Sequence, residues 1–505
     1  MGDNNMQTRR SFLKFGAGAA AVGALAPLTV SANSSDVKWH EKHEIVIVGS
    51  GFAGLAAAVE AGKLGAKDIL VIEKLGVYGG NSTLNAGQAC FANTDLQKQL
   101  GIEDSAELMV QDQLKSGRGY ASEELLKHSA ELGPYIYQLT KDCGCVYRDH
   151  IINTGGTSAT RSHQVVERSG AGFIRPMLKT ARSYGVKTKT RHKFEHLITA
   201  ADGTVLGIQV RKDYHFGHED SGTLINIKAE KGVLIATGGF GANVAFRQAL
   251  DPTLGNEVGC TNARGATGDG LIAMLSEGAM PVHLSFIQSG PWASPDEGGF
   301  GYGAGFSLYN FPHSIAIDRN TGQRFMNETA DRKTRADLEV QRRDKDGKPN
   351  PALLIAPKHE AQKDPSMENV LRYNVAWEFD SVDAIAKHFE LPTKQLKKQI
   401  DDWNKYVKAG EDPQFGKRMN MSTGIYLTAP FIVQRLWPKV HYCQGGIQIN
   451  TKAEVIAAKN GQPIRKLYAA GEVSGGVHGV SRLGGCSTPE CMAFGVTAAR
   501  SMMKA

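Results

Sequence analysis

The sequence predicts an α/β fold of Rossmann type, a parallel sheet extended by a β-meander, with a smaller α+β unit inserted into it. Three observations carry this. Glu44-Ile-Val-Ile-Val-Gly-Ser-Gly-Phe-Ala-Gly-Leu-Ala-Ala-Ala58 runs from apolar β-formers through a G-x-G-x-x-G turn into an Ala-rich helix. Ile69-Leu-Val-Ile-Glu73 is a second apolar strand, and it ends in an acid at the distance where a carboxylate takes ribose hydroxyls. Between about Phe286 and Val440 the glycine-rich loops thin out and amphipathic helices replace them, before Gly445-Gly446 and a strand at Ile447–Ile449 resume the first texture.

Taken in order, the chain opens on a processing segment. Thr8-Arg-Arg-Ser-Phe-Leu-Lys14 has the pattern of a twin-arginine export signal, an apolar stretch spans Phe15 to Val30, and Val30-Ser-Ala32 offers small residues for cleavage. Residues 1–32 are therefore set apart from the fold, and the mature protein is expected in the periplasm, beginning near Asn33. No other stretch is long and apolar enough for a membrane span.

The dinucleotide-binding unit is expected over residues 33–285 and again over 441–505, around the inserted unit at 286–440. In the turn, Gly49 allows the sharp bend, Gly51 lets a pyrophosphate approach the backbone, and Gly54 lets the helix sit close on the strand. The helix N-terminus then offers free N–H groups to phosphate. Gly79-Gly-Asn-Ser-Thr-Leu-Asn-Ala-Gly87 is a loop of small residues able to wrap a flat ring or a phosphate with backbone donors. Ser105 to Asp142 reads as helices, His196–Arg211 as two strands about an Asp202-Gly203 turn, Leu224–Lys228 as the next strand of a meander, and Lys231–Phe240 as a buried strand ending in Thr-Gly-Gly. Thr261–Gly270 is a further Gly loop opening a helix. In the inserted unit, Ser381–Phe389 and Lys394–Val407 read as amphipathic helices, and Arg342–Lys348 as solvated surface.

Composition narrows the functional classes. The 505 residues are 41% hydrophobic and 22% charged, ordinary for a globular protein, and the net charge of +7 is mild. No basic tract interleaved with aromatics points to nucleic acid. The seven cysteines include no C-x-x-C-H, so nothing marks covalent haem. The spacing of Cys143 and Cys145 leaves open free thiols or a disulfide between them. No nicotinamide-binding unit is recognisable beyond the first dinucleotide motif.

From about Lys42 onward, the chain resembles the FAD-binding flavoproteins of the fumarate reductase and succinate dehydrogenase superfamily, most nearly the soluble flavocytochrome c type but without its haem domain. The motifs that carry the resemblance are the opening dinucleotide turn, Gly79-Gly-Asn-Ser82, Ala236-Thr-Gly-Gly239, Gly265-Ala-Thr-Gly-Asp-Gly270, Arg324-Phe-Met-Asn-Glu328, and Ala470-Gly-Glu472 through Arg482-Leu-Gly-Gly485. It implies non-covalent FAD, since the motif bearing the covalent histidine is missing, and an inserted unit that acts as a clamp over the flavin. It also implies cofactor contacts. Gly49, Gly51, Phe52, Ala53 and Gly54 fall at the pyrophosphate, and Glu73 and Lys74 at the adenosine side. Gly80, Asn81, Ser82, Asn85, Ala86 and Gly87 fall along the flavin, with Thr237, Gly238, Asp269, Tyr442, Glu472, Arg482, Ser487 and Thr488 completing the set.

The same resemblance implies hydride transfer from flavin N5 to the C=C bond of an α,β-unsaturated carboxylate; a reductase of fumarate or of another small oxidised acceptor is the alternative, and a flavin electron carrier without substrate chemistry is the alternative of another class. Arg332 falls on the proton-donating arginine, and His441 and Arg482 on the pair that grips one substrate carboxylate. Two departures bear on the substrate. Glycine stands at 290, where fumarate reductases have a histidine for the second carboxylate, and Phe300–Asn310 lacks the accompanying Thr-Glu pair. A monocarboxylate such as acrylate, methacrylate or an aryl acrylate is therefore expected, and Trp292, Phe300, Tyr302, Phe306 and Tyr309 suggest an apolar or aromatic substituent on its β-carbon. Cys486 stands where the family has asparagine. With no haem on the chain, the expected electron donor is a separate periplasmic multihaem cytochrome c.

Overall fold

The computed structural model describes residues 37–504; the expected export signal at 1–32 lies outside them. The main sheet is built on β1 (Glu41–Val48), followed by helix α1 (Phe52–Lys63) and β2 (Ile69–Ile72). β1 and β2 pair in parallel, with Val46 opposite Leu70, so the chain between them must cross over, which α1 does. Ile45–Val48 are buried, because both faces of a parallel sheet are covered and its strands read as unbroken apolar runs.

On the other side of β1 lies the strand Thr223–Ile235, again parallel, with Val46 opposite Val233. Pro463–Ala469 and Lys187–Lys189 extend the parallel set at its two sides. The meander forms as expected: His192–Thr199 and Val205–Lys212 turn at Asp202-Gly203, where the Asp202 carboxylate accepts the Thr204 N–H at 2.9 Å. One difference is that the two strands expected at 224–228 and from 231 are a single strand of 13 residues. Nothing between Lys228 and Lys231 breaks a strand. Its first half pairs with Val205–Lys212, and its second half enters the parallel sheet.

The stretch 105–142 forms the helices Ala106–Gly117, Glu123–Glu131 and Gly133–Asp142, the first two capped by Ser105 and Ser122. The final helix, Ser487–Lys504, lies against α1 so closely that a β-carbon at Gly495 would fall 2.2 Å from the Ala53 carbonyl oxygen. The alanines of α1 serve the same close approach.

A second, antiparallel sheet takes the strands in the order Gln323–Arg324, Ile315–Asp318, Ala352–Pro357, Phe431–Leu436, Ala376–Phe379. The helices Val382–Phe389 and Thr393–Ala409 cover one face, packing Ile385, Leu396, Ile400 and Trp403 on Ile317, Leu353 and Val433. The spacing of the buried residues along Thr393–Ala409 is the apolar stripe of an amphipathic helix. Arg324-Phe-Met-Asn-Glu328 is held by a buried ion network: Arg324 meets Glu328 at 2.8 Å and Asp412 at 3.0 Å, and Lys417 meets Glu328 at 3.1 Å. That network anchors the turn leading into the helix Arg332–Val340. The short strands Ile287–Gly290 and Lys439–Cys443 pair antiparallel, which brings Trp292 beside His441 at the seam between the two sheets.

All seven cysteines are free, Cys143 and Cys145 included. No helix among the described residues is long and apolar enough to cross a membrane.

Candidate active site

One continuous cavity extends from the N-terminus of α1 to the seam with the second sheet. At the first end, Gly51 is the N-cap of α1. It makes no side-chain cap, and the first turn of the helix holds no acid. The Phe52 N–H donates to the Ser82 hydroxyl at 3.0 Å, and no carboxylate opposes the positive dipole end of the helix in its first turn. Gly49 has φ +110°, and a β-carbon there would meet the Ala236 carbonyl oxygen at 2.2 Å. Glu73 lines the cavity with its carboxylate held by the Ser50 hydroxyl at 2.6 Å and the Leu75 N–H at 2.9 Å. Lys74 donates to Asp269 at 2.7 Å and to Thr267 at 2.6 Å. Further along, Asn81 accepts the Ala263 N–H at 2.7 Å, and Glu472 accepts the Cys443 N–H at 2.9 Å. Burial pushes the Glu472 carboxyl above its ordinary range.

At the seam, Arg332, His441 and Arg482 face the same cavity. Arg332 is the first residue of its helix, whose N-cap Asp331 accepts the Thr334 N–H at 3.2 Å. Neither Arg332 nor Arg482 has a carboxylate partner among the described residues. Arg332 Nη1 and Arg482 Nε are buried without any hydrogen bond, and Arg482 Nη1 reaches only the Leu483 carbonyl at 2.9 Å. Desolvation, and then repulsion from Arg482 and Arg335, holds Arg332 well below the ordinary arginine range. Desolvation followed by the two guanidiniums holds His441 well below the ordinary histidine range, so its ring is neutral. The Thr261 hydroxyl lies 2.8 Å from His441 Nδ1 and 3.3 Å from the Val440 carbonyl. The 2.8 Å contact holds the ring at Nδ1 with either atom as donor; a neutral ring that donates from Nε2 takes the Thr261 proton at Nδ1.

Of the residues expected at the cofactor, Gly49, Gly51, Phe52, Ala53, Glu73, Lys74, Gly80, Asn81, Ser82, Asn85, Ala86, Thr237, Gly238, Asp269, Tyr442, Glu472, Arg482, Ser487 and Thr488 line the cavity. Gly54 and Gly87 do not. A β-carbon on Gly54 would meet the Gly49 carbonyl oxygen at 2.0 Å, and one on Gly87, at φ +68°, the Ser169 nitrogen at 2.7 Å. Both glycines serve close backbone packing. Tyr309 is also outside the cavity: its hydroxyl meets Glu360 at 3.3 Å, while its neighbour Leu308 lines the wall. Of the expected aromatics, Trp292 and Phe300 line the cavity, Tyr302 stacks on Tyr373 at 5.3 Å, and Phe306 is core. Within the helix Gly303–Asn310, phase sets Leu308 at the cavity, Phe306 in the core and Tyr309 toward Glu360. Sequence reasoning assigned nothing to Thr261 or Asn262. Asn262 donates to the His441 carbonyl at 2.9 Å. Both approach His441 from 180 residues away, and no local pattern marks them.

These features fit FAD. The cavity carries a helix N-terminus with no acid in its first turn, a glycine turn into which no side chain fits, a carboxylate at one end, and the N-terminus of the helix Ser487–Lys504 at the other. Fold and site together define an FAD-dependent oxidoreductase. The profile of the FAD binding domain family matches residues 44–488. The chain belongs to this family, among the flavoproteins of the fumarate reductase and succinate dehydrogenase superfamily. It is 54% identical, over the full length of both chains, to the acrylate reductase flavoprotein subunit of Shewanella woodyi. It is 30% identical to the urocanate reductase of Eggerthella lenta, over 90% of this chain and 73% of the relative. Among solved structures, the open conformation of a flavocytochrome c3 fumarate reductase superposes with a TM-score of 0.77 at 28% identity, over 92% of this chain and 79% of the other. The protein is an FAD-dependent reductase acting on CH–CH groups.

Proposed function

We propose that the substrate is an α,β-unsaturated monocarboxylate, acrylate foremost, and that Arg332 is the proton donor. The observation that carries this is the pair of guanidiniums, Arg332 and Arg482, facing one cavity with a neutral His441 and no protein carboxylate to balance them. Such a site demands an anion. His441 Nε2–H and the Arg482 fork bind one carboxylate and draw electron density from the conjugated double bond. Bound along this cavity and reduced by an external electron donor, the flavin would supply the hydride that the β-carbon accepts. Arg332 stands ready to protonate the α-carbon. A guanidinium is a weak acid in water, but burial and the neighbouring arginines weaken its hold on the proton here.

A second carboxylate finds no partner in the apolar wall of Trp292, Phe300 and Leu308, where Gly290 behind the indole brings no side chain to the cavity. Burying it unpaired costs about 3–5 kcal/mol. The test is steady-state reduction with a viologen donor: acrylate is expected to exceed fumarate in kcat/KM by more than ~100-fold, and Arg332→Ala to lose about 10²- to 10⁴-fold in turnover with the flavin spectrum kept. Efficient fumarate turnover would exclude the monocarboxylate reading.

The Thr8–Lys14 signal supports export by the twin-arginine route to the periplasm, with the enzyme ending a respiratory chain. The 54%-identical relative is designated a flavoprotein subunit, which supports a separate electron-delivering partner, proposed as a multihaem cytochrome c.

A further inference from the structure

Trp292 lines the cavity beside Arg332 and His441. The Arg332 guanidinium lies 4.6 Å from the ring centre, and the His441 ring meets it edge-on at 5.2 Å and 82°. Behind the indole stands Gly290, where a β-carbon would fall 2.7 Å from Cζ2 and 2.8 Å from Cε2. The ring therefore occupies space that any larger residue at 290 would need. Its Nε1–H is buried and unpartnered among the described residues, so packing alone holds it, in a cluster with Phe311, Met326, Leu354 and Leu436. Only 1% of the residue is exposed. A wall packed to that degree does not give way by more than a few tenths of an ångström without strain.

A carboxylate held by His441 and Arg482, with its α-carbon toward Arg332, thus has its carbon chain in reach of a rigid apolar wall. Resting on the enoate reductase reading above, we propose that Trp292, seated on Gly290, sets the size limit of the substrate. Uncharged-chain enoates of three or four carbons fit, whereas a longer alkyl chain or an aryl group on the double bond meets the indole. The enzyme is on this account a short-chain enoate reductase, distinct from one that takes aryl acrylates.

The experiment compares acrylate, crotonate, 2-hexenoate and 3-phenylacrylate as oxidants of the reduced holoenzyme, in wild type, Trp292→Ala and Trp292→Phe. Wild type is expected to favour acrylate over 2-hexenoate and 3-phenylacrylate by at least ~100-fold, and Trp292→Ala to raise the relative kcat/KM of the larger acids at least ~10-fold. Trp292→Phe removes an N–H that has no partner, so it is expected to retain FAD and to shift the ratio in the same direction by less. It carries the test if the alanine variant loses its flavin. Equal use of acrylate and 3-phenylacrylate by wild type would overturn the proposal and leave the enoate reading intact, as would variants that hold FAD with an unmoved ratio. A wild type that oxidises with no enoate at all would instead defeat the functional reading itself.

Discussion

Thr261 and Glu339 show how single side chains set the protonation of this site and its surroundings. Thr261 meets His441 Nδ1 at 2.8 Å, and in the proposed binding mode, where Nε2–H grips the carboxylate, the Thr261 hydroxyl is the donor. Thr261→Val preserves the shape and removes that donor. KM for acrylate is expected to rise roughly 3- to 10-fold, the worth of one net hydrogen bond, with FAD content unchanged in the purified protein. Glu339 lies on the helix that begins at Arg332, and both its carboxyl oxygens are buried without a partner. Burial raises its pKa well above the ordinary range, against the opposing pull of Arg335. The folded state therefore keeps a proton that the unfolded chain gives up above about pH 4.3. Stability is lost as pH rises from there toward the folded value. Glu339→Gln is expected to raise Tm at pH 8 and to change it little at pH 4, measured by thermal melts at both. An equal effect at the two pH values would contradict a protonated Glu339.

At the scale of elements, the turn from β1 into α1 has the least tolerance. Gly49 needs φ +110° and has the Ala236 carbonyl where a β-carbon would sit. Gly49→Ala is expected to abolish FAD retention, read as loss of the visible flavin absorption band after gel filtration. Retention of stoichiometric FAD would show that the turn can shift. The helix Arg332–Val340 depends on a different device, an Asp331 cap and the ion network around Glu328 just before it. These place Arg332 at the cavity although its local sequence is a charged run that by itself reads as surface. Helix geometry also overrode the sequence at Tyr309: within Gly303–Asn310 its face turns toward Glu360, and Leu308 takes the cavity.

At the scale of the whole molecule, the site exists only where the two sheets meet. The strand pair Ile287–Gly290 and Lys439–Cys443 joins residues about 150 apart in sequence and sets Trp292 against His441. Electrons must enter this assembly from outside. The expected outcome is that a reduced multihaem cytochrome c is reoxidised by the holoenzyme in the presence of acrylate, while NADH alone reduces the flavin slowly or not at all. Stopped-flow spectra of the haem and flavin bands measure both, and rapid reduction by NADH would overturn the assignment of the donor.

The sequence by itself determined the βαβ unit, the glycine turn, the meander and the amphipathic helices, because each rests on a period or a turn residue within a few positions of itself. Through the family resemblance it also singled out Arg332, His441 and Arg482, which the structure brings to one cavity. Only the tertiary structure decided that Thr261 orients His441, that Trp292 is seated on Gly290, and that Gly54, Gly87 and Tyr309 stand outside the cavity. The physical reason is reach. Hydrogen-bond and packing partners of this kind come from distant segments, and whether a side chain faces a ligand or a neighbour depends on helix phase and sheet register, which no short stretch of sequence specifies.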